Sequence, residues 1–552
     1  MYRKIMVVAV AAGVAAAALF VGTAMKRNAD IKKLVGAMRL EQKIGQMMMV
    51  GVPGAKMSPE ARAILERFAP GGVIFFGYNI TDRDGTAGFI ADLQKTALES
   101  RTPPLFISID QEGGRVRRIV NGVTQFPGNM PMGVVNDPDL AYRAARILGT
   151  ELRLMGVNMN LAPALDVNNN PENPVINTRS FGSDPAVVAS VGRAYIRGLQ
   201  EARCMAVGKH FPGHGDTDSD SHHVLPVIAY GMEHLEKVEL PPFAAAIDEK
   251  VSAIMSAHIS YPSILGGDMP ATLSRAMLTD LLRTKMGHRG LVITDDMEMN
   301  AVSKLMDIGE AAVRSIEAGS DIILISTSGK SVEKIHGAIS AAVAGGRLDV
   351  ARIDESVRRI VEAKLRYSIL KIDSGNALPA VAAYSGRELA ALSEGASINR
   401  ELSRRALYYH GPGPFIPAAG EGAFGARYIV AASPVLRREL VEKPVPGLVL
   451  LGNTGELAAA LARSGPERTL VYLHVDRPEQ GILSEMARLR DMKNVRLVVL
   501  ATGNPFPVAA VSPLPPVLFS FSNTDESLRQ VAACLRGEFV PRTDVNVHLG
   551  IR

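Results

Sequence analysis

Short apolar runs alternate with amphipathic segments through the first two thirds of the chain. Segments such as Pro138–Met155, Asp184–Ala202 and Ser274–Met286 repeat their apolar positions with helical spacing. Eight apolar runs are strand-like, and they lie at Ile44–Gly51, Gly72–Tyr78, Leu105–Asp110, Val157–Asp166, Cys204–His210, Val251–His258, Leu291–Asp295 and Asp321–Ser326. Continuous apolar strands that alternate with helices predict a parallel sheet covered by helices. Eight such units predict an α/β fold of the (β/α)8 TIM-like barrel type.

The pattern changes after the eighth unit. The stretch Ile372–Gly386 is rich in Ala, Gly, Ser and Pro, which is typical of a linker. Beyond it, helical patterns separate further strand-like runs at Leu448–Leu451, Leu470–Leu473, Val495–Ala501 and Val517–Phe521. We therefore predict a barrel over residues 30–371, a linker over 372–386 and a smaller C-terminal α/β domain over 387–552.

The first 29 residues have a different pattern. Arg3 and Lys4 precede an apolar run, Ile5–Met25, that only Gly and Thr residues interrupt. A basic start followed by such a run is typical of a secretory signal peptide, and its length also suits an uncleaved membrane anchor. No cysteine lies near its end, which argues against a lipoprotein anchor. We expect an exported protein, either periplasmic, extracellular or membrane-anchored and facing outward.

Composition supports a globular protein and excludes other classes. Apolar residues make up 47% of the 552 residues and charged residues 21%, which is far from a disordered chain. The net charge of +5 is a mild excess without a long basic run, so we expect no nucleic-acid partner. Cys204 and Cys534 lie in apolar stretches of different halves, and we expect buried free thiols.

Titratable side chains follow the predicted barrel strands where each strand ends. They are Asp110, Asp166, Lys209, His210, His258 and Asp295. Barrel enzymes build their active sites at the carboxyl ends of the strands. Five strands that end in titratable groups therefore predict a catalytic barrel.

The densest polar segment is KHFPGHGDTDSDSHHVLP, residues Lys209–Pro226. A calcium loop on its three alternating aspartates would need a glycine and a glutamate where Ser221 and Val227 stand, so that interpretation fails. A zinc site on His210, His214 and one of His222 or His223 is compatible with the spacing. A third interpretation is acid/base chemistry, because an aspartate two residues before a histidine can reach its ring nitrogen and raise its basicity.

The segment K-H-F-P-G-H-G-D-T-x-x-D-S-H resembles the signature of the β-N-acetylhexosaminidases of glycoside hydrolase family 3, of the NagZ type. Asp110–Arg118 (DQEGGRVRR), Asn177–Gly182 (NTRSFG) and Leu291–Met299 (LVITDDMEM) resemble the family's sugar-binding, arginine-bearing and nucleophile segments. The resemblance covers roughly residues 31–370. It extends more weakly into the C-terminal domain, where Val498–Pro505 resembles the core of the family's second domain.

The resemblance implies a retaining, exo-acting enzyme that hydrolyses terminal N-acetylglucosaminyl β-linkages of peptidoglycan fragments or chitin-type oligosaccharides. It implies Asp295 as the nucleophile, His222 as the acid/base and Asp220 as the residue that orients His222. The implied sugar-binding residues are Asp110, Arg118, Arg179, Lys209 and His210, and no metal or organic cofactor is implied. The spacing from Asp110 favours Arg118 over Arg117.

Other roles stay open at this point. Asp166, His214, Asp216 and His258 are interpreted as structural, and His223 as a solvated neighbour of His222. Asp295 could instead cap the following helix, although Asp296 suits that position better. The alternatives to a hydrolytic β-N-acetylhexosaminidase are a phosphorolytic β-N-acetylglucosaminidase, a β-glucosidase of the same family and a non-catalytic sugar-binding protein.

Overall fold

The computed structural model describes residues 26–221, 223–327, 329–373, 376–379, 386, 390–412, 415, 426–430, 433–463, 469–476, 478–544 and 549. The predicted signal segment Ile5–Met25, most of the predicted linker and His222 lie outside the described residues. Within the described ranges, none of the helices has the length and apolarity needed to cross a membrane.

Eight parallel strands form the barrel. They are β1 Met48–Gly51, β2 Gly72–Phe75, β3 Phe106–Ile109, β4 Met159–Asn160, β5 Met205–Phe211, β6 Ala253–Ser256, β7 Leu291–Thr294 and β8 Ile323–Ile325. Each strand pairs with the next in chain order, and β1 pairs with β8. A bridge between Ile293 and Ile322 links β7 to the residue before β8 and closes the ring. The predicted barrel is confirmed.

Helices precede, separate and follow the barrel strands, and the longer ones bury an apolar face. A first helix covers 26–37, and the others are Leu40–Gln46, Pro59–Phe68, Arg83–Glu99, Asn129–Val135, Pro138–Leu154, Pro185–Glu201, Met232–His234, Leu240–Asp248, Pro262–Leu265, Asn300–Ser303, Ile308–Ala318, Lys330–Ala344 and Val350–Arg366. Two segments, Leu235–Glu239 and Ala276–Lys285, are π-helical, and Gly77–Asn79, Asn177–Arg179 and Ala271–Leu273 are 3₁₀ turns. Local sequence explains where the long helices begin. At Pro185–Glu201, for example, Asp184 caps the first turn by accepting from the Ala186 amide, and proline occupies the first helical position.

Two predicted segments differ from the structure. Ile44–Gln46 belongs to a helix that ends before β1, although the run was predicted as strand. A short buried apolar run does not distinguish a helix end from a strand, because both bury every side chain. The predicted helix Ser274–Met286 has π-helical hydrogen bonding over Ala276–Lys285, which the apolar spacing does not reveal.

A second, six-stranded sheet follows the barrel. Its strands, listed by position, are β11 Tyr408–His410, β12 Ala426–Val430, β13 Leu448–Leu451, β14 Thr469–Val475, β15 Val495–Ala501 and β16 Val517–Phe519. The spatial order is β11-β16-β15-β14-β12-β13, and all neighbours are parallel except β11 with β16. The associated helices are Gly395–Arg405, Pro434–Glu442, Thr454–Arg463, Gln480–Arg490, Phe506–Ala509 and Asp525–Leu535, with a 3₁₀ turn at Ala391–Glu394. This confirms the predicted smaller α/β unit, although β11 and β12 were not predicted.

A hairpin follows the barrel in the sequence and overlaps the stretch predicted as a linker. Its strands are β9 Leu370–Asp373 and β10 Asn376–Pro379, which pair antiparallel. The two cysteines lie on opposite sides of this hairpin in the sequence, Cys204 in the barrel and Cys534 in the second unit. Both are buried free thiols, and burial raises the pKa of each thiol to about 12.

Candidate active site

The carboxyl ends of the barrel strands surround a cavity of about 450 Å³. The described residues predicted to act on substrate all line it, namely Asp110, Arg118, Arg179, Lys209, His210, Asp220 and Asp295. His222 lies outside the described residues. Parallel strands deliver their ends to one face of a barrel, which explains how residues nearly 190 positions apart in the sequence meet there.

A chain of alternating charges forms one wall of the cavity. The Lys209 ammonium donates to Asp110 Oδ1 at 2.7 Å and contacts Glu112 Oε1 at 2.8 Å. Arg118 extends the chain, because its Nη2 lies 3.5 Å from Asp110 Oδ2. Arg117 instead donates to the Gly114 carbonyl, so it does not belong to this wall. The alternation lets buried charges compensate each other while Asp110 and Arg118 still face the cavity.

Glu112 is the buried centre of this network, and sequence reasoning missed it. Arg179 donates to it through two nitrogens, Nε to Oε2 at 3.0 Å and Nη2 to Oε1 at 2.8 Å. Burial opposes the charged form of Glu112, but the charges of Arg179 and Lys209 outweigh burial and hold its pKa well below the usual range. The sequence did contain a signal for Glu112. It follows Asp110 by two positions, and in an extended chain the side chains of residues two positions apart lie on the same side.

His210 is held in one orientation by Asp166, which lies in the loop after β4. Asp166 Oδ2 lies 2.8 Å from His210 Nδ1, and Asp166 Oδ1 accepts from the His210 and His214 amides at 3.0 and 2.8 Å. A carboxylate at Nδ1 fixes the proton there. Nε2 of a neutral His210 is then an acceptor, and Arg179 Nη2 lies 3.3 Å from it. Asp166, interpreted from sequence as structural, thus positions a residue of the cavity.

Asp295 follows β7 and is partly exposed. Its backbone amide donates to the Ser256 carbonyl, and its Oδ1 accepts from the Asp296 amide at 2.8 Å. Burial by itself would raise the pKa of Asp295, but the nearby His210 and His258 rings, the Asp296 amide and the Lys209 charge together hold that pKa below its usual range. Asp295 is therefore an ionised carboxylate at the edge of the cavity, which is the state that a nucleophile needs.

Asp296 has a different environment from its neighbour. Its Oδ1 accepts from the Ser326 amide at 3.1 Å and the Glu298 amide at 3.2 Å. Burial raises the pKa of Asp296 to about 6. The next helix begins at Asn300 with Met299 at its N-cap, so neither aspartate caps it. The expected capping role of Asp296 is wrong because the three residues Met297–Met299 separate it from the helix.

The loop after β5 carries Asp220. Asp220 lines the cavity with its side chain about one third exposed, and its carbonyl accepts from the His223 and Val224 amides at 2.9 and 3.0 Å. His223 is 77% exposed, with Nε2 3.9 Å from Asp220 Oδ2. Its exposure agrees with the interpretation of a solvated neighbour, and the predicted contact of Asp220 with His222 stays a prediction.

His214 anchors the base of the same loop. Its ring nitrogens lie 3.0 Å from Thr217 Oγ1 and 3.0 Å from Ser221 Oγ. Burial lowers the pKa of His214 to about 4, so it is neutral at physiological pH. The described residues contain no group of three His, Cys, Asp or Glu side chains able to hold a metal ion. The zinc alternative that uses His222 lies partly outside them.

The loop after β4 is fastened to the loop after β5 through Asn173. Its Nδ2 donates to the carbonyls of His214 at 2.8 Å and Gly215 at 2.9 Å, and its Oδ1 accepts from the Val175 and Ile176 amides. Gly215 is required at this junction, because a Cβ there would collide with the Val167 carbonyl oxygen. Asn173 thereby ties the loop that presents Arg179 to the loop that presents Asp220.

Known proteins resemble the chain over this site. Residues 39–363 match the model of the glycosyl hydrolase family 3 N-terminal domain. The chain is 36% identical over 332 residues to beta-hexosaminidase A of Pseudoalteromonas piscicida, and the match covers 56% of this chain and 56% of that protein. A beta-hexosaminidase of Nitrosomonas eutropha is 33% identical over 57% of this chain and 91% of its own length. The chain therefore spans little more than half of the Pseudoalteromonas protein and most of the Nitrosomonas one.

A solved structure matches both units of the fold. The glycoside hydrolase family 3 beta-N-acetylglucosaminidase from Paenibacillus sp. str. FPU-7 superposes with a TM-score of 0.80 at 34% identity. The match covers 94% of this chain and 100% of that one. The likeness thus includes the second sheet as well as the barrel.

Proposed function

Because the chain belongs to glycoside hydrolase family 3, we propose that it is a retaining, exo-acting β-N-acetylhexosaminidase that hydrolyses terminal N-acetylglucosaminyl β-linkages. The observation that carries the proposal is the position of Asp295. It is an ionised carboxylate that lines the same cavity as the Asp110, Lys209 and Arg179 network. Retaining hydrolysis requires a nucleophilic carboxylate on one face of the sugar and a proton carrier on the other.

The reaction proceeds in two displacements. An Asp295 oxygen forms a bond to the anomeric carbon while the bond to the leaving oxygen breaks, and His222 gives that oxygen its proton. His222 then takes a proton from water, whose oxygen attacks the anomeric carbon and releases Asp295. Asp220 orients His222 in both steps. A histidine has an ordinary pKa near ~6.5, which suits proton transfer in both directions near neutral pH.

The charged wall supplies binding energy for the terminal sugar. Asp110 offers carboxylate oxygens to sugar hydroxyls, and Arg118 and Arg179 offer guanidinium nitrogens. Hydrogen bonds to charged groups are shorter and stronger than neutral ones, so they hold the ring against Asp295. His210, fixed by Asp166, presents a ring nitrogen of defined hydrogen-bonding character to the same sugar.

N-acetyl specificity is supported by the activities for which the relatives are named. The Pseudoalteromonas and Nitrosomonas proteins are beta-hexosaminidases, and the Paenibacillus structure is a beta-N-acetylglucosaminidase. The Asp220 and His222 pair supports catalysis over mere binding, since a protein that only bound sugar would need no proton carrier. A β-glucosidase and a phosphorolytic enzyme are the rivals that the assay must separate.

The decisive experiment compares aryl β-glycosides of N-acetylglucosamine and of glucose, each with and without phosphate. We expect preferential cleavage of the N-acetylglucosaminide, with free sugar as the product in both buffers and the β-anomer released first. Release of sugar 1-phosphate would establish phosphorolysis instead. Faster cleavage of the glucoside would establish a β-glucosidase, and absence of cleavage of either substrate would refute the proposal.

We also propose that the protein acts outside the cytoplasm. The support is the basic start and apolar run of residues 3–25. Substrates there would be peptidoglycan fragments or chitin-type oligosaccharides. Fractionation of the source cells tests this, and recovery of the full-length chain in the cytosol alone would refute it.

A further inference from the structure

The helix Asn129–Val135 lies between the substrate-binding segments of the barrel and the second unit. It follows β3 in the sequence and precedes the helix Pro138–Leu154. All seven of its residues are buried. A helix that is buried all round has packing partners on more than one face. We call it the junction helix, and no step of the proposed catalytic cycle uses it directly.

One face of the junction helix holds the backbone of the segment that carries Arg179. Asn129 Nδ2 donates to the Arg179 carbonyl at 2.6 Å. Four positions later, Gly133 packs so closely on the Phe181 carbonyl that a Cβ would collide with its oxygen. Residues four positions apart lie on the same face of a helix. This face therefore follows the chain from Arg179 to Phe181 and fixes its position.

The residues just before the junction helix support the partner of Arg179 in the charged wall. The Gly114 amide donates to the Phe126 carbonyl at 3.1 Å. Gly128 has a φ of +101°, and a Cβ on it would approach the Gly114 backbone to 3.1 Å. Gly114 follows Glu112 by two positions. Both members of the Glu112 and Arg179 pair thus have their backbone held by this one stretch of chain.

The opposite face of the junction helix belongs to the core of the second unit. Met130 and Val134 are fully buried in the same apolar cluster as Tyr408 of β11 and Phe519 of β16. Arg542 Nη1 donates to the Val134 carbonyl at 2.9 Å. The last carbonyls of a helix have no partner within the helix, so Arg542 satisfies a group that the helix itself leaves open. The second unit therefore contacts this helix through both apolar packing and a hydrogen bond.

Arg542 is well placed to hold the helix because its own backbone is fixed. Its amide donates to the Leu407 carbonyl at 3.0 Å, and its carbonyl accepts from the Tyr409 amide at 2.7 Å. A second arginine of the same unit acts just beyond the junction helix, where Arg405 Nη1 lies 2.9 Å from Asp137 Oδ2. The carboxyl end of the junction helix is thus fastened to the second unit at two points.

We propose that Arg542 is a positioning residue for substrate binding, which acts through the junction helix on Arg179. Arg542 holds Val134, and Asn129 at the other end of the helix holds the Arg179 backbone. The inference rests on the proposed β-N-acetylhexosaminidase activity. It gives the second unit a role in that activity, although the described residues that line the catalytic cavity all belong to the barrel.

The first test measures kcat and KM for an aryl N-acetylglucosaminide. Arg542→Ala should lower kcat/KM about tenfold, because a displacement of about 1 Å in a binding group can cost on the order of 100-fold. The loss should lie mainly in KM, since Arg179 binds the sugar and forms no bond to it. Arg490→Ala is the matched control. Arg490 Nη1 also donates to a carbonyl at 2.9 Å, that of Pro513, and also pairs with a neighbouring carboxylate, but all within the second unit.

A double-mutant cycle distinguishes positioning from general destabilisation. Arg179→Lys is measured alone and together with Arg542→Ala. If Arg542 acts through Arg179, the double variant should have the kcat/KM of Arg179→Lys alone to within about twofold. Additive losses would overturn the inference. So would unchanged kinetics of Arg542→Ala, a loss confined to kcat, or an equal loss in Arg490→Ala.

Hydrogen exchange gives a readout that does not depend on activity. The Arg179 and Ser180 amides form hydrogen bonds within their own turn, at 2.8 and 3.1 Å. They should exchange about tenfold faster in Arg542→Ala than in the wild type, and at the wild-type rate in Arg490→Ala. Equal exchange in all three proteins would overturn the inference. If the wild type cleaved neither aryl glycoside, the proposed function would fail, and the exchange rates alone would decide whether Arg542 positions Arg179.

Discussion

Lys364→Met should stabilise the protein near neutral pH and destabilise it at alkaline pH. Lys364 is fully buried in the helix Val350–Arg366, where Nζ donates to Gln46 Oε1 at 2.9 Å and lies 4.9 Å from the centre of the Phe106 ring. Among the described residues no carboxylate forms an ion pair with it. Burial lowers the pKa of Lys364 to about 7 from an ordinary value of 10.5.

The magnitude follows from proton linkage. Between pH 10.5 and 7 the unfolded chain binds a proton at this lysine that the folded chain does not, so stability falls as the pH falls through this window. At ~1.36 kcal/mol per pKa unit, the difference amounts to about 5 kcal/mol below pH 7 and less than about 1 kcal/mol at pH 10. Methionine removes this penalty, but it leaves the buried Gln46 oxygen unsatisfied at a cost of up to ~3 kcal/mol. The variant should therefore be about 2 kcal/mol more stable at pH 6.5 and about 2 kcal/mol less stable at pH 10.

Denaturant unfolding followed by circular dichroism at pH 6.5 and pH 10 measures the free energy of unfolding of the variant and the wild type. The two proteins are comparable if their m-values are equal. Lys371→Met is the matched control, because Lys371 is exposed and its replacement should give no inversion between the two pH values. A Lys364→Met effect of one sign and equal size at both pH values would refute the reasoning, since only the buried ammonium depends on pH.

Further expectations concern the active site and the N-terminal segment. Asp295→Asn should fold but lose nearly all turnover, and Asp296→Asn should lose less. If Asp295→Asn kept more than about a tenth of the wild-type kcat, the activation barrier would have risen by less than ~1.4 kcal/mol, and this would contradict the nucleophile assignment. His222→Ala should impair substrates with basic leaving groups more than aryl glycosides of acidic phenols, on which the covalent intermediate should accumulate as added mass; equal losses without trapped intermediate would contradict the acid/base role. Glu112→Gln leaves Lys209 and Arg179 without their buried counter-charge, so the free energy of unfolding should fall by about 3 kcal/mol or more, and a smaller change in denaturant unfolding would show that the network relaxes. Deleting residues 1–25 should give a soluble enzyme with the aryl activity of the full chain, and loss of activity despite native circular dichroism would contradict this.

Much of the fold was predictable because the barrel strands are continuous apolar runs. Each of the eight predicted runs overlaps an observed strand, and Leu448–Leu451 and Val495–Ala501 coincide with β13 and β15. Such runs are expected where both faces of a sheet are covered. The failures arise where the segment is too short for its pattern to decide. Ile44–Gln46 is three residues that lie just before β1 but are helical, and the three residues of β11 are too few to establish a period.

The site residues were predictable where titratable side chains lie at strand ends. They were less predictable where a residue's role depends on the buried partners that it contacts. Asp110 and Asp295 follow strands directly and Lys209 lies near the carboxyl end of β5, so their convergence followed from the barrel itself. Glu112 and Asp166 were missed or assigned to structure because their importance lies in the partners that they meet, Arg179 and His210. Those partners come from other strands, and a single sequence does not reveal such pairings.

The link through Asn173 has a consequence for engineering. Two loops that belong to separate βα units share one amide group, which holds the carbonyls of His214 and Gly215. The units are therefore not interchangeable modules, although the barrel architecture suggests that they are. If the loop after β5 were grafted alone onto another barrel, those two carbonyls would lose their hydrogen-bond donor. If the loop after β4 of this barrel were exchanged alone, the donor Asn173 would be lost here. The transferable piece is the pair of neighbouring units together.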